Sequence, residues 1–371
     1  MMLMGTKTGE SLSMEQIFEG LLAERGSPRQ TESMARLVAL MKQAENRIPL
    51  LPDCRERVIK HISAVDRLNL ALSYPSLQKF GKMCPLQFKK IILSNDRFSF
   101  DKAPVRFFPK GSKIEVLFGH QFGNHKFIRQ SENLDETMNQ VLEKMLFGVV
   151  SSKNPLLVDQ LELSGRALDQ YPEWFKVETQ EVKLRGQLSL YEGHLGKMIQ
   201  NDPKSIIVML QPSETSGFED SMLRQVTNFT VDFQSSNRLG VRHFMTNVLP
   251  TLRNKQIVIK TGEQLLVTND QFLEIVGDWF QTPREITTSL HITRAWSTAL
   301  QALVEANFEI INGYFAEIHN KQHYNRPCTL VSLPNDIKFV IWGSKDYDEE
   351  KGRKQKMLKM TVIKFKIDPE S

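Results

Sequence analysis

Apolar positions recur at helical spacing over residues 13–45, with Ile17, Phe18, Leu21 and Leu22 on one face and Met34, Leu37, Val38 and Met41 on another. Gly26-Ser27-Pro28 separates these two predicted helices, because Gly tolerates a C-cap geometry and Pro lacks the amide a continuing helix needs. A second helical stretch covers residues 48–80. Pro52 opens a helix with Val58, Ile59 and Ile62 on its apolar side, and a break falls at Ser63–Val65. Asp66 is then expected to cap a helix carrying Leu68, Leu70, Ala71 and Leu72, since a carboxylate accepts a free amide hydrogen of the first turn. Tyr74-Pro75-Ser76 ends it.

From Pro85 the period shortens to two. Phe88, Ile91 and Leu93, then Phe98 and Phe100, then Val105 and Phe107, then Ile114, Val116 and Phe118 predict short strands broken by Asn95-Asp96, Asp101–Pro104 and Pro109–Ser112. A small antiparallel β module over about 86–130 follows from that alternation. Leu134–Val150 returns to helix through Leu134, Met138, Val141, Leu142, Met145 and Leu146.

The middle of the chain carries a less obvious regularity. Six short apolar strands are predicted at Leu161-x-Leu163, Val182-x-Leu184, Ile206-x-Val208, Phe229-x-Val231, Ile257-x-Ile259 and Leu290-x-Ile292. Their second residues step by 21, 24, 23, 28 and 33, mostly in or near the roughly 20–29-residue range of leucine-rich-repeat-like units. Helix-like stretches lie between strands, for example 270–280 and 297–308. A strand–helix unit cannot bury its apolar face alone, so stacked copies form an irregular solenoid; a single α/β domain with similar spacing is the competing reading. The usual Asn ladder position is missing and the last steps drift. The C-terminal portion, 328–367, reads as β strands, with KDYDEEKGRKQK at 345–356 as a long solvated hairpin loop.

Composition sharpens this in one respect. The 371 residues are 40% hydrophobic and 25% charged, an ordinary globular balance that excludes collagen-like, disordered-tail and disulfide-scaffold classes. The net charge of +5 is mild, but residues 47–130 hold 16 Lys/Arg against 6 Asp/Glu, a local +10. Such a segment fits phosphate backbones, an acidic protein partner, or simply a solvated surface. Cys54, Cys84 and Cys328 have no short spacing and argue against a metal-ligand pair and for a reducing compartment. With no signal-peptide-like start and no long apolar run, the expectation is an intracellular protein, cytoplasmic or nuclear, with no membrane partner.

Candidate chemistry is sparse. No nucleophile elbow, P-loop, dinucleotide fingerprint or H-E-x-x-H occurs. His319 and His323 are spaced to share one helix face, yet their neighbours Asn320, Lys321 and Gln322 read as solvated, so surface histidines at a helix end are expected rather than a metal site. Asp135-Glu136 and Glu349-Glu350 are adjacent pairs that do not converge on one substrate. No catalytic residue, cofactor or metal is expected, and the chain reads as a non-enzyme.

Residues 48–80 nevertheless resemble an F-box, carried by Leu51-Pro52, Val58, Ile59 and Ile62 at helical spacing, and Asp66-Arg67-Leu68-Asn69-Leu70. The order DRLNLALSYPSL, then KMCPLQFKKIILSNDRFSF, with IWGSKDYDEEKGRKQKMLKMTV near the end, is similar to the nematode family of F-box-like proteins carrying an uncharacterised F-box-associated region. The resemblance implies a substrate receptor that docks a Skp-type adaptor of a cullin ubiquitin ligase and recruits a protein target of unknown identity. The docking residues it implies are Leu51, Pro52, Val58, Ile59, Ile62, Asp66 and Leu68. Their spacing suits a helix-in-groove contact, and equally the core of a local helical hairpin.

The expected architecture is α+β. An N-terminal helical extension (1–47) and F-box-like helical module (48–84) precede an F-box-associated α/β region over 85–371. That region comprises a β module (85–130), an irregular leucine-rich-repeat-like array (151–327) and C-terminal strands (328–367). An F-box-like adaptor is the leading function, a scaffold without ligase docking the second, and a nucleic-acid-associated protein using the basic 47–130 face the last.

Overall fold

A computed structural model describes residues 62–73, 85–119, 121, 126–146, 150, 154–210, 217–218, 220–233, 241, 243–261, 269–281, 285, 288–293, 302, 309–316, 323–332, 337–348 and 353–364. The fold is mixed α/β, dominated by strands with few helices. The chain divides into two compact units, one of Met1–Gln87 with Lys102–Asn154 and the other of Phe88–Asp101 with Pro155–Ser371. The helices expected at 13–45 and the anchors Leu51, Pro52, Val58 and Ile59 lie outside the described residues.

In the first unit, helix α1 (Ala64–Ser73) packs against α2 (Leu134–Leu146). Its start differs from the expected one. Ser63 caps it, accepting from the Asp66 amide at 3.1 Å and donating to the Asp66 carboxylate at 2.7 Å. Asp66 is therefore the third helical residue and partners the cap instead of being the cap, a reciprocal arrangement related to the capping box. Helix α2 buries Met138, Val141, Leu142, Met145 and Leu146, the predicted stripe, and also Thr137, whose hydroxyl donates to the Asn133 carbonyl at 3.0 Å. Strands β3 (Ala103–Lys110), β4 (Lys113–Phe118) and β5 (Lys126–Gln130) complete this unit as an antiparallel sheet. Val105, Phe107, Ile114 and Val116 are buried.

The second unit begins with the antiparallel pair β1 (Gln87–Ser94) and β2 (Arg97–Phe100), so the predicted β module is shared between the units. All six predicted apolar strands then follow as β6 (Leu156–Ser164), β7 (Val177–Arg185), β8 (Ser205–Leu210), β9 (Asn228–Phe233), β10 (Gln256–Thr261) and β11 (Ser289–Thr293). They are parallel, each pairing with its neighbour in sequence. Leu161, Val182, Ile206, Phe229, Ile257 and Leu290 stand in one register row, and Leu163, Leu184, Val208, Val231, Ile259 and Ile292 in the next. Every one of these twelve side chains is at most 1% exposed. At about 1.5–3 kcal/mol per fully buried apolar side chain, this double row contributes substantially to the stability of the unit.

Parallel neighbours require crossover connections of a dozen or more residues, and the described parts of these connections hold several single turns. Among the described residues they include Leu195–Met198, Ser221–Gln225 and the wide turn Phe244–Val248, and the crossover before β11 holds a longer helix, α3 (Asn269–Gln281). Two asparagines act within these connections although no continuous ladder was legible. Asn201 exchanges hydrogen bonds with the Thr179 amide and carbonyl, both at 2.8 Å. Buried Asn254 donates to the Leu223 and Val226 carbonyls at 2.8 and 2.7 Å, satisfying groups that the turn leaves open.

The C-terminal strands are β12 (Glu309–Ala316), β13 (His323–Ser332), β14 (Ile337–Asp348) and β15 (Arg353–Lys364), an antiparallel set in which β15 joins β11. Strand order in this unit is β12-β13-β14-β15-β11-β10-β9-β8-β7-β6-β1-β2. Two expectations change here. Most of the charged 345–356 stretch is strand, with Lys345 opposite Lys356 and Asp348 opposite Arg353. Polarity does not disfavour a hairpin whose backbone groups pair. His323 likewise opens a strand opposite Ala316 instead of closing a helix, which removes the helical spacing that related it to His319.

Candidate functional site

The double apolar row uses alternate residues of β6–β11, so the intervening residues form the opposite face of the sheet. In register they are Glu162, Lys183, Ile207, Thr230, Val258 and His291, flanked by Ser164, Arg185, Met209, Asp232 and Lys260. All are half-exposed except Glu162, which is buried. The face is apolar at its centre, through Ile207, Met209 and Val258, and charged towards both sides. Register carries the row onward from His291 to Lys359 of β15.

Glu162 organises one end of this face. Lys90 Nζ lies 2.8 Å and Arg185 Nε 2.6 Å from its two carboxylate oxygens. Burial pushes the Glu162 carboxyl up, but the Lys90 contact and the charges of Arg185, Lys90 and Lys183 outweigh it and hold the group below the usual carboxylate range. A buried carboxylate with two cations stays ionised and fixes where those cations stand. Next to it, Gln160 donates to the Glu181 carboxylate, so the β6–β7 border is cross-linked twice on the same face. Tyr191 ties the strand ends, its hydroxyl donating to the Arg185 carbonyl at 2.8 Å and accepting from the Gly165 amide at 3.0 Å. These contacts make a prearranged surface.

A cleft of about 150 Å³ lined by Met245, Thr246, Leu249, Pro250, Glu274, Ile275 and Asp278 falls below the roughly 300–1,000 Å³ of small-molecule sites. Among the described residues, no group of three or more His, Cys, Asp or Glu side chains could hold a metal ion. No described helix is long and apolar enough to cross a membrane.

The docking residues expected from sequence separate sharply. Leu68 is 1% exposed and lies in the interior of its unit, where it holds α1 and offers nothing to a partner. Ile62 and Asp66 are half-exposed at the start of that helix, Asp66 being engaged with Ser63. Arg67, within the same motif, donates to the Pro85 carbonyl at 2.8 Å. The structure brings Ile62, Asp66 and Leu68 to one helix start, but only the first two reach the surface.

Sequence reasoning missed the Glu162 cluster. Its signal was present in the middle position of each apolar triad, which was left as x; reading those positions in order gives the exposed row directly. No protein-family model, curated protein or solved structure matches this chain.

Proposed function

We propose that the chain is a non-catalytic, F-box-like adaptor that recruits a protein target to a cullin-type ubiquitin ligase. Residues 48–84 form the F-box-like module that docks a Skp-type protein, and the stacked strands β6–β11 serve as a leucine-rich-repeat-like platform for the target. The observation that carries this reading is the in-register parallel ladder, with a half-exposed face whose apolar centre is bordered by charge. That composition matches a protein interface, with an apolar core and polar rim. An adaptor needs no nucleophile or base, since it acts by raising the effective concentration of its target beside the ligase.

The test is capture of a purified Skp-type protein by the full chain. Binding that is lost in Ile59→Asp and Leu51→Asp variants with an unchanged unfolding transition supports the adaptor; absence of binding removes it. A scaffold of the same shape without ligase docking is the second reading, and the buried position of Leu68 favours it, because one implied anchor serves the core. A nucleic-acid role for the basic 47–130 segment is the third, and an affinity that does not change with salt removes it.

A further inference from the structure

The outer face of β3–β4–β5 in the first unit carries a second surface, independent of the ligase reading. Alternation puts Arg106, Phe108 and Lys110 of β3 on it, and register places Leu117, Glu115 and Lys113 of β4 beside them. Lys126, Ile128 and Gln130 of β5 complete it. Phe108 is 39% and Ile128 55% exposed, two of the large apolar side chains that the described residues leave in solvent. Both flank Glu115, so they stand roughly 10 Å apart across two strand spacings. Glu115 is occupied: Lys110 and Lys126 each reach its carboxylate at 2.6 Å, and their hydrogen bonds hold its pKa below the ordinary value.

The charges do not balance. Four cations, Arg106, Lys110, Lys113 and Lys126, share this face with one carboxylate. Arg106 and Lys113 have no ion-pair partner among the described residues. From this geometry we infer that the face docks an acidic, extended segment of a partner protein, with apolar residues set between its carboxylates. Phe108 and Ile128 take the apolar residues, and Arg106 and Lys113 take the carboxylates. β5 is the last strand in the sheet order, so a segment lying along it adds to the sheet and sends alternate side chains onto this face. A nucleic-acid strand fits less well. Glu115 interrupts a phosphate track at its centre, and Ile128 is no stacking platform for a base.

The experiment uses the full chain and fluorescence anisotropy with three short probes: a Glu-rich peptide with interspersed Leu, the same peptide with Lys for Glu, and an oligouridylate of matching length. Binding of the acidic peptide is expected, with at least tenfold loss in Arg106→Glu/Lys113→Glu and a comparable loss in Phe108→Ser/Ile128→Ser. The Lys peptide is expected not to bind. Because all four positions are exposed, an unchanged unfolding transition confirms that the variants fold; Arg106→Gln/Lys113→Gln serves if charge reversal perturbs it. Failure of the acidic peptide to bind, equal affinity in the variants, or tighter variant-sensitive binding of the oligouridylate overturns the inference. Loss of ligase docking leaves these results untouched, so the two proposals fail separately.

Discussion

Two glutamates each hold two cations on a sheet face, and their surroundings differ. Glu162 holds Lys90 and Arg185 on a face where the next residues of its row are Lys183, Ile207 and Thr230. Its charges are shared out along the strands, with Asp232 opposite Lys260 further on. Glu115 holds Lys110 and Lys126, but its row neighbours are exposed Phe108 and Ile128, and Arg106 and Lys113 are left over. The same device therefore stitches one sheet together and, in the other, organises a basic, apolar surface that calls for a partner.

The largest effect separates core from surface. Phe229→Ala removes a fully buried side chain from the middle of the ladder and is expected to cost about 3–5 kcal/mol. Ile128→Ala, on the outer face, is expected to stay within about 0.5 kcal/mol. Denaturant unfolding of the two variants measures the contrast, and similar shifts would break it. Asn254→Ala comes next. It strands the Leu223 and Val226 carbonyls at a cost of about 1–3 kcal/mol, read from the same curves. Gly217→Ala tests the neighbouring connection: the residue sits at a φ of 89°, and an added Cβ would lie 2.6 Å from Leu188 Cβ and 2.8 Å from its carbonyl carbon, so a lower unfolding midpoint is expected.

Acid sharpens the comparison further. Glu162 has a lowered pKa in the folded chain, so its contribution is complete above the usual carboxylate value and disappears as pH falls through the folded one. Glu162→Gln should lower stability at neutral pH and flatten the acid limb of a midpoint-against-pH curve. A limb parallel to that of the unaltered chain would show that the cluster contributes nothing. The smallest effect belongs to Glu115→Gln. Removing the one carboxylate from the basic face should tighten the acidic peptide by roughly two- to threefold at low salt, an advantage that fades as salt screens it.

The spine of the fold was legible because it rests on a local pattern. Apolar triads separated by 21 to 33 residues marked all six parallel strands, and alternation marked β1 to β4. Strand β12 went unnoticed, since Glu309–Ala316 is interrupted by Asn312 and Gly313 and follows a stretch of helical period. The charged hairpin of β14 and β15 was read as loop because polarity reports solvent contact and not backbone pairing. The surfaces were harder for a different reason. Phe108 and Ile128 fall on one face, either side of Glu115, only once the register of three strands is known, and Glu162 finds Lys90 from an element far earlier in the chain. Side-chain periodicity gives each strand two faces; it does not say which faces become neighbours.

The adaptor reading rests on residues 48–84, and calorimetric titration of a purified Skp-type protein into the full chain tests it most directly. Saturable binding at one site is expected, abolished by Ile59→Asp and left intact by Ile207→Asp on the parallel-sheet face and by Arg106→Glu/Lys113→Glu on the basic face. No binding by the unaltered chain, or binding that survives Ile59→Asp and Leu51→Asp, would contradict the adaptor reading.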